Sequence, residues 1–238
     1  MLARLKKLRS RAGRVRADSY EFSDSFTGKF RSRKAALRAH ADYPHDTDAE
    51  GQFDPGFRTY VRVEDTLEKV PPNTRVLDIG CNSGGLGRRL MAEKGCEMYG
   101  VDISPKLVER AREKGYEAYA GPAEELRYED DFFDVVVVSE LLEHVHDPRP
   151  ILEQAARVLK PGGMVLGDVP TEQGKWGHET IDDHEFHARV FTRDSLRDVL
   201  AEYFRVEYVD GAPREGEPHP VYDVPTWYVF QAFKDGPR

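Results

Sequence analysis

Hydrophobic residues along this chain recur with the two periods that distinguish buried strands from amphipathic helices. From residue 71 onward, short aliphatic runs such as 135–138 alternate with segments in which apolar residues share one helical face, as do Leu86, Leu90 and Met91. Strands and helices that alternate in this way form parallel sheets with right-handed crossovers. The pattern therefore predicts an α/β fold. The run at 135–138 is apolar on both faces, so its strand should be central and covered on both sides.

The predicted elements begin after the breakers Pro71-Pro72-Asn73. Seven strands are expected at residues 75–79, 97–102, 116–120, 134–139, 164–169, 204–209 and 226–233. Helices are expected at 57–67, from the glycine-rich turn after residue 79 to Lys94, and at 105–114, 150–159 and 193–203. A Pro-rich loop at 211–225 joins the last two strands, and Lys160-Pro161-Gly162-Gly163 is typical of a helix stop followed by a tight turn.

Composition limits the classes of function. The 238 residues carry a net charge of −8, which argues against a general nucleic-acid binder because such proteins neutralise phosphates. Cys81 and Cys96 are the two cysteines, so no disulfide framework is implied and a reducing, cytoplasmic location is expected. No apolar run is long enough to span a bilayer. The sequence leaves the oligomeric state open, with a homodimer among the options.

The first 38 residues are basic against this acidic background. Leu2, Leu5 and Leu8 recur at helical spacing there, among arginines and lysines. Such a segment could lie on an anionic membrane, act as an Arg-rich transit peptide or form a frayed terminal helix. Its apolar face is short, which favours the frayed helix.

Candidate chemistry is concentrated where the first predicted strand ends. The strand runs into Asp78 and Gly80, and a glycine-rich turn then leads into a helix. A dinucleotide site would place pyrophosphate at this turn, but a carboxylate suits a cationic ligand better. Asn82 occupies a turn position where glycine is usual, and Asn tolerates left-handed backbone better than most residues. A second acid, Asp102, ends the next strand and could accept hydrogen bonds from both ribose hydroxyls.

The string D-I-G-C-N-S-G at 78–84 resembles motif I of the class I S-adenosylmethionine (SAM)-dependent methyltransferases. The resemblance covers roughly residues 71–233 and extends to Asp102 and to L-K-P-G-G at 159–163. It implies a Rossmann-like, doubly wound, seven-stranded sheet, mostly parallel with an antiparallel last strand, plus an N-terminal helical cap. Residues 1–70 would form the cap or lid, and 71–238 the methyltransferase domain with an insertion at 171–190.

The resemblance also implies a set of SAM-binding residues, with Asp102 on the ribose and Ile103 against the adenine. Similar enzymes carry an acid at the second place of the motif after the third strand, where this chain has Pro122. Glu124 or backbone groups of Ala123 would then hold the adenine. The implied site comprises Asp78, Gly80, Cys81, Asn82, Gly84, Asp102, Ile103, Ala123, Glu124 and Glu140. Candidate lid residues before motif I are Tyr20, Phe22, His40, Tyr43, Arg58 and Tyr60.

A second motif follows the central strand. Glu140, Glu143 and His144 converge if the chain turns helically after residue 139, and they offer oxygen and nitrogen ligands for a divalent ion. The string E-x-x-E-H resembles the metal-binding motif of ubiquinone-biosynthesis O-methyltransferases and of small-RNA 2′-O-methyltransferases. The latter resemblance implies His187 as a fourth ligand. The metal would be Mg²⁺ or another divalent ion.

A metal-free alternative is equally open. Many related methyltransferases with a similar string have no known metal, and there Glu140 lies near the methionine end of SAM while His144 lines the acceptor pocket. His144 would then be the general base, because imidazole takes up a proton near neutral pH. A ligand cannot also be the base, so the two roles exclude each other. Glu143 and Asp168 are the other catalytic candidates.

Together these features predict a SAM-dependent O-methyltransferase acting on a small polar hydroxyl compound. A hydroxyl is a weak nucleophile, which explains a base or Lewis acid at the site. The insertion suits a sugar-like acceptor, although a solvated loop would have a similar composition; its polar and aromatic residues are Trp176, His178, Asp182, Asp183, His184 and His187. Alternatives are a nucleic-acid 2′-O-methyltransferase, a small-molecule N- or C-methyltransferase, and a non-catalytic SAM-binding protein.

Overall fold

A computed structural model describes residues 61–171, 187–212 and 227–236. Within these ranges the strands are β1 (Arg75–Ile79), β2 (Glu97–Asp102), β3 (Glu117–Ala120), β4 (Phe133–Ser139), β5 (Leu159–Pro170), β6 (Arg205–Ala212) and β7 (Trp227–Phe233). The helices are α1 (Val61–Lys69), α2 (Gly85–Lys94), α3 (Pro105–Glu113), α4 (Arg149–Val158) and α5 (Arg193–Ala201), with a 3₁₀ turn at Leu142–His144. No helix in the described ranges combines the length and apolarity needed to cross a bilayer.

All seven strands form one sheet in the order β3-β2-β1-β4-β5-β7-β6. The pairs from β3 to β5 are parallel, whereas β7 lies antiparallel between β5 and β6. The predicted doubly wound sheet with an antiparallel last strand is therefore confirmed. Because parallel strands end at the same edge, the residues after β1, β2, β3 and β4 lie together, where ligands of open α/β sheets bind.

The sheet is covered on both faces. One hydrophobic cluster joins α1, α2 and α3 to Val135 and Val137 of β4, and the other joins α4 and α5 to Val136 and Val138. All four valines are fully buried, as the apolar run predicted. Full burial of such a side chain stabilises the fold by roughly 1.5–3 kcal/mol, so these two clusters fix β4 at the centre.

Several element boundaries differ from the prediction by one or two residues, and two differ by more. Strand β6 ends at Ala212 rather than Val209. Strand β5 begins at Leu159 rather than Met164, so it includes the predicted turn at 160–163. Gly162 has the positive φ of a turn (80°), but the backbone N–H groups of Gly162 and Lys234 donate to Lys234 and Gly163 respectively. These bonds keep the segment attached to the sheet, which is why the strand continues.

Some predictions lie outside the described residues. They concern the basic N-terminus, the candidate lid residues, the start of the helix expected at 57–67, most of the insertion and most of the Pro-rich loop. The division into a cap at 1–70 and a domain at 71–238 stays a prediction. The end of the insertion, from His187 onward, is described and bears on the site.

Candidate functional site

The turn after β1 has the geometry that its sequence requires. Gly80 and Gly84 each have φ of 82°, and Asn82 has φ of 49°, so the left-handed position predicted for Asn82 is confirmed. The N–H groups of Gly80 and Cys81 donate to the carbonyl of Val101, which joins the turn to the end of β2. Helix α2 then begins at Gly85, so its first turn lies at the ligand edge of the sheet.

Asp102 stands directly beside this turn. Its Oδ2 accepts from the N–H of Asn82 at 3.0 Å and its Oδ1 from the N–H of Ser104 at 2.8 Å. Burial raises the pKa of the carboxyl, while the backbone donors lower it. Ser104 is the N-cap residue of α3, but its side chain makes no capping bond. The backbone of Ile103 also bonds to this carboxyl, so three backbone groups hold it beside the turn.

Asp78 lies deeper, at 4% exposure, on the α2 side of β1. The hydroxyl of Tyr116 donates to its Oδ2 at 2.9 Å and accepts from the N–H of Gly87 in α2 at 2.7 Å. Burial raises the pKa of the Asp78 carboxyl to about 7; the bond from Tyr116 lowers it and the nearby charge of Asp102 raises it. Burial likewise raises the pKa of the Cys81 thiol, so Cys81 stays protonated in the turn.

The residues proposed around the adenine are near Asp102. The N–H of Gly121 donates to the Asp102 carbonyl at 2.9 Å, which brings the loop after β3 against the end of β2. The loop turns at once, because the N–H of Glu125 donates to Pro122. Ala123, Glu124 and Ile103 are half-buried there.

Three candidate residues converge after β4. The chain forms a 3₁₀ turn over Leu142–His144 rather than a longer helix. One ligand atom from each of Glu143, His144 and His187 lies within 4.8 Å of the others. Glu143 is 1% exposed, and its Oε1 lies 3.8 Å from Nε2 of His144. The two imidazole rings meet edge to face with centroids 4.9 Å apart. This group is called the Glu143 cluster below.

His187 reaches the cluster because the end of the insertion is bonded to the 3₁₀ turn. The N–H groups of Ala188 and Arg189 both donate to the Glu143 carbonyl, at 2.8 and 2.9 Å. The buried guanidinium of Arg189 donates to the carbonyl of His146. An isolated parallel bridge pairs Thr171 with Phe191, so both ends of the insertion are held at the sheet.

Glu140 and Asp168 are not part of the Glu143 cluster. Glu140 has a left-handed backbone (φ 46°), and its Oε1 accepts from Nε1 of Trp227 at 3.1 Å. Asp168 is 1% exposed, and its Oδ2 accepts from the hydroxyl of Ser139. The expected convergence of Glu140 with Glu143 and His144 does not occur, because the chain leaves β4 through a left-handed residue before the 3₁₀ turn.

The sequence alone did not single out Tyr116 or Trp227. Tyr116 looked like the first residue of β3 and Trp227 like an ordinary strand residue. A tyrosine next to a glycine at the end of a helix carries no signal for a partner 38 positions away. The bond of Trp227 to Glu140 spans 87 positions and likewise follows only from the fold.

A family model described as a methyltransferase domain matches residues 57–204, more than half of the chain. The chain belongs to the class I SAM-dependent methyltransferases. Membership implies SAM as the methyl donor of the family.

Two curated methyltransferases illustrate the sequence similarity. The 27-O-demethylrifamycin SV methyltransferase of Amycolatopsis mediterranei is 40% identical over an alignment of 129 residues, which covers 48% of this chain and 47% of that protein. A ubiquinone biosynthesis O-methyltransferase of Xanthomonas oryzae pv. oryzae is 41% identical over 99 residues, 39% of this chain and 41% of that protein. The matched part therefore spans less than half of each relative.

Solved methyltransferase structures share the fold. A SAM-dependent methyltransferase from Thermotoga maritima superposes with a TM-score of 0.62 at 23% identity, covering 79% of this chain and 95% of that one. The phosphoethanolamine N-methyltransferase 2 of Haemonchus contortus, solved with SAM, gives a TM-score of 0.64 at 19% identity, covering 84% and 60%. Identities this low support the fold only.

Proposed function

We propose that this methyltransferase transfers the methyl group of SAM to a hydroxyl of a small polar compound. The observation that carries the proposal is the Glu143 cluster, which places a buried carboxylate and two imidazoles at the edge of the sheet where ligands bind. Such groups are needed to deprotonate a hydroxyl and are less needed for an amine. The relatives named for O-methylation or for a 27-O-demethyl substrate support the same choice.

The residues around the turn fit SAM. Asp102 would accept from the ribose hydroxyls, while its bonds to Asn82 and Ser104 hold the carboxylate in place. Asp78 would attract the ammonium of the methionine part. Ile103, Ala123 and Glu124 would border the adenine, and Gly80, Cys81, Asn82 and Gly84 supply the turn itself. Glu140 would lie at the methionine end, oriented by Trp227.

The donor atoms of the Glu143 cluster fit a divalent metal. Two imidazoles and one carboxylate match ions such as Zn²⁺, Fe²⁺ or Mn²⁺ better than Mg²⁺, which prefers oxygen ligands. We propose Glu143, His144 and His187 as the ligands, and Glu140 as a ligand only if it leaves Trp227. A bound metal would supply Lewis-acid stabilisation of an acceptor alkoxide. Without metal, His144 would be the general base, with Glu143 beside its Nε2.

The chain contributes chiefly by orientation. Residues after β1 and β2 hold the donor, and those after β4 hold the acceptor hydroxyl, so the oxygen attacks the methyl carbon in line with the departing sulfur. Fixing two reactants in this way can supply roughly 7–11 kcal/mol of the barrier. Asp168, which is buried and accepts from Ser139, would support the end of the sheet between the donor and acceptor sites. The polar composition of the insertion favours a sugar-like acceptor.

A screen of labelled methyl transfer tests the proposal. Purified full-length protein is incubated with methyl-labelled SAM and separate panels of glycosides, catechols, amines and short RNAs, each with and without EDTA. Label in an O-methyl product of a glycoside or catechol supports the proposal. Label confined to amines or RNA would contradict the acceptor class, and absence of S-adenosylhomocysteine binding by calorimetry would contradict the donor site.

A further inference from the structure

Tyr116 joins three parts of the donor half of the molecule. It lies between α3 and β3, 4% exposed, and so offers almost no surface to a ligand. Its hydroxyl donates to Asp78 at the end of β1 and accepts from Gly87 in the first turn of α2. One phenol oxygen thus connects the acid of motif I to the helix that follows it. A single phenol can do so because its hydroxyl is both donor and acceptor.

The glycines around the turn leave room for this ring. A Cβ atom added at Gly87 would overlap the Tyr116 hydroxyl, and one at Gly84 would come within 2.9 Å of the Tyr116 ring. Ring carbons at such distances would have to shift, and the surrounding core prevents this. Gly84 of the motif and Gly87 of α2 therefore accommodate Tyr116, in addition to any role toward a ligand.

We propose that Tyr116 is a positioning residue of the donor site, which orients the Asp78 carboxylate and favours its charged form. This inference rests on the proposed function, because it requires that Asp78 attract the ammonium of SAM. Tyr116 acts through Asp78 and does not itself contact the donor. Removing its hydroxyl should leave a turn of the same shape but a carboxyl that ionises less readily.

The groups that face Asp78 support this reading. Burial and the charge of Asp102 in β2 both disfavour the carboxylate, whereas the Tyr116 hydroxyl favours it. Cys81, in the turn, keeps its proton because burial and the neighbouring acids raise its pKa. The pKa of Tyr116 is itself raised by burial and by Asp78, so it remains a donor. Among these groups, the Tyr116 hydroxyl is the one that stabilises the negative charge on Asp78.

The test is the pH dependence of donor affinity. Calorimetry gives the Kd of S-adenosylhomocysteine and of 5′-methylthioadenosine, which lacks the amino-acid part with its ammonium and carboxylate, from pH 5.5 to 9. The ratio of the two constants gives the contribution of the amino-acid part, whose own carboxylate stays ionised throughout this range. In the wild type this ratio should change as Asp78 ionises, and in Asp78→Asn the change should vanish. Tyr116→Phe should move the midpoint to higher pH by about one unit or more, as expected for a hydrogen bond to a charged group.

Matched variants separate positioning from packing. Tyr128→Phe removes a nearby hydroxyl that donates to the carbonyls of Gly100 and Glu117, and it should leave the midpoint unchanged. Site-specific 3,5-difluorotyrosine at position 116 makes the phenol a stronger donor in a nearly native ring. The pH midpoint of this variant should move to lower pH, opposite to the shift in Tyr116→Phe. The variant tests the role of Tyr116 even if Tyr116→Phe fails to fold.

The outcomes distinguish this inference from the proposed function. Shifts of opposite sign in the two Tyr116 variants support it. If the wild type binds and neither Tyr116 variant moves the pH midpoint, the role of Tyr116 is overturned while the donor site stands. A loss of affinity in the variants that is the same at every pH would have the same meaning. A wild type that binds neither nucleoside would overturn both proposals together.

Discussion

The indole Nε1 of Trp227 donates to Oε1 of Glu140 over 3.1 Å, joining the first residue of β7 to the residue that follows β4. Trp227 is buried, and Glu140 holds a left-handed conformation that non-glycine residues adopt rarely. The N–H of Glu140 also donates to the carbonyl of Asp168. Together these bonds fix the direction in which the chain leaves the central strand, just before the Glu143 cluster.

Trp227→Phe should therefore weaken both stability and turnover. The substitution keeps an aromatic ring but removes a donor to a carboxylate, a bond worth roughly 1.5–3 kcal/mol. Thermal unfolding and kcat/KM measure the effect. Glu140→Gln is the matched variant, because its amide oxygen can still accept from Trp227 and should cost less stability. Equal unfolding temperatures for wild type and Trp227→Phe would show that the bond does not hold Glu140.

Asp102 should be decisive for donor affinity. Asp102→Ala removes the acceptor for three backbone groups as well as the proposed ribose contacts. The Kd for S-adenosylhomocysteine should therefore rise about tenfold or more, because the loss of one charged hydrogen bond is enough for that. Calorimetry checks it. Asp130→Ala, at an exposed acid bound to Arg157, is the control and should not change the Kd. An unchanged Kd in Asp102→Ala would place the donor elsewhere.

The Glu143 cluster predicts a metal that can be removed. EDTA should abolish methyl transfer, and readdition of one divalent ion should restore it. Elemental analysis should find bound metal in the wild type. The affinity of Glu143→Gln and of His187→Ala for the metal should be lower by about tenfold or more. His146→Gln changes a histidine outside the cluster and should retain the metal. Turnover that is insensitive to chelation and lost in His144→Gln would instead assign the base role to His144.

Asp78 should make the stability of the ligand-free protein depend on pH. Its pKa of about 7 in the folded protein exceeds that of an unfolded aspartate, so the folded state binds the proton more tightly. The stabilisation is complete below the unfolded pKa, near 4, and is lost as pH rises through 7. Urea unfolding from pH 4.5 to 8 should show this loss, up to roughly 4 kcal/mol, with a smaller slope in Asp78→Asn. Parallel curves for the two proteins would contradict it.

The sequence predicted the sheet well because its signals are local. Strands β1 and β2 were placed to the residue, since each apolar run follows a breaker and has an acid at its end or one position before it. The left-handed Asn82 followed from its place in the turn. The continuation of β5 through 160–163 was not predictable, because it depends on bonds to Lys234 at the far end of the chain.

The site was predicted less completely, for the same physical reason. Asp102 lies beside the turn because the ends of neighbouring parallel strands must meet. His187 was placed beside Glu143 by resemblance to other enzymes, since no local pattern links residues 44 positions apart. The direction of Glu140 depends on Trp227, and the setting of Asp78 depends on Tyr116; both partners come from other elements. Strand ends are thus predictable, whereas the partners of their side chains are not.

The bonds that hold His187 have an evolutionary consequence. The chain is fixed at both ends of the insertion. Two N–H groups donate to the Glu143 carbonyl, and a bridge pairs Thr171 with Phe191. Substitutions, and even changes of length, between residues 172 and 186 should therefore be tolerated without displacing the cluster. Acceptor preference would then diverge among relatives by exchange of this one segment, while the groups proposed to activate the hydroxyl stay in place.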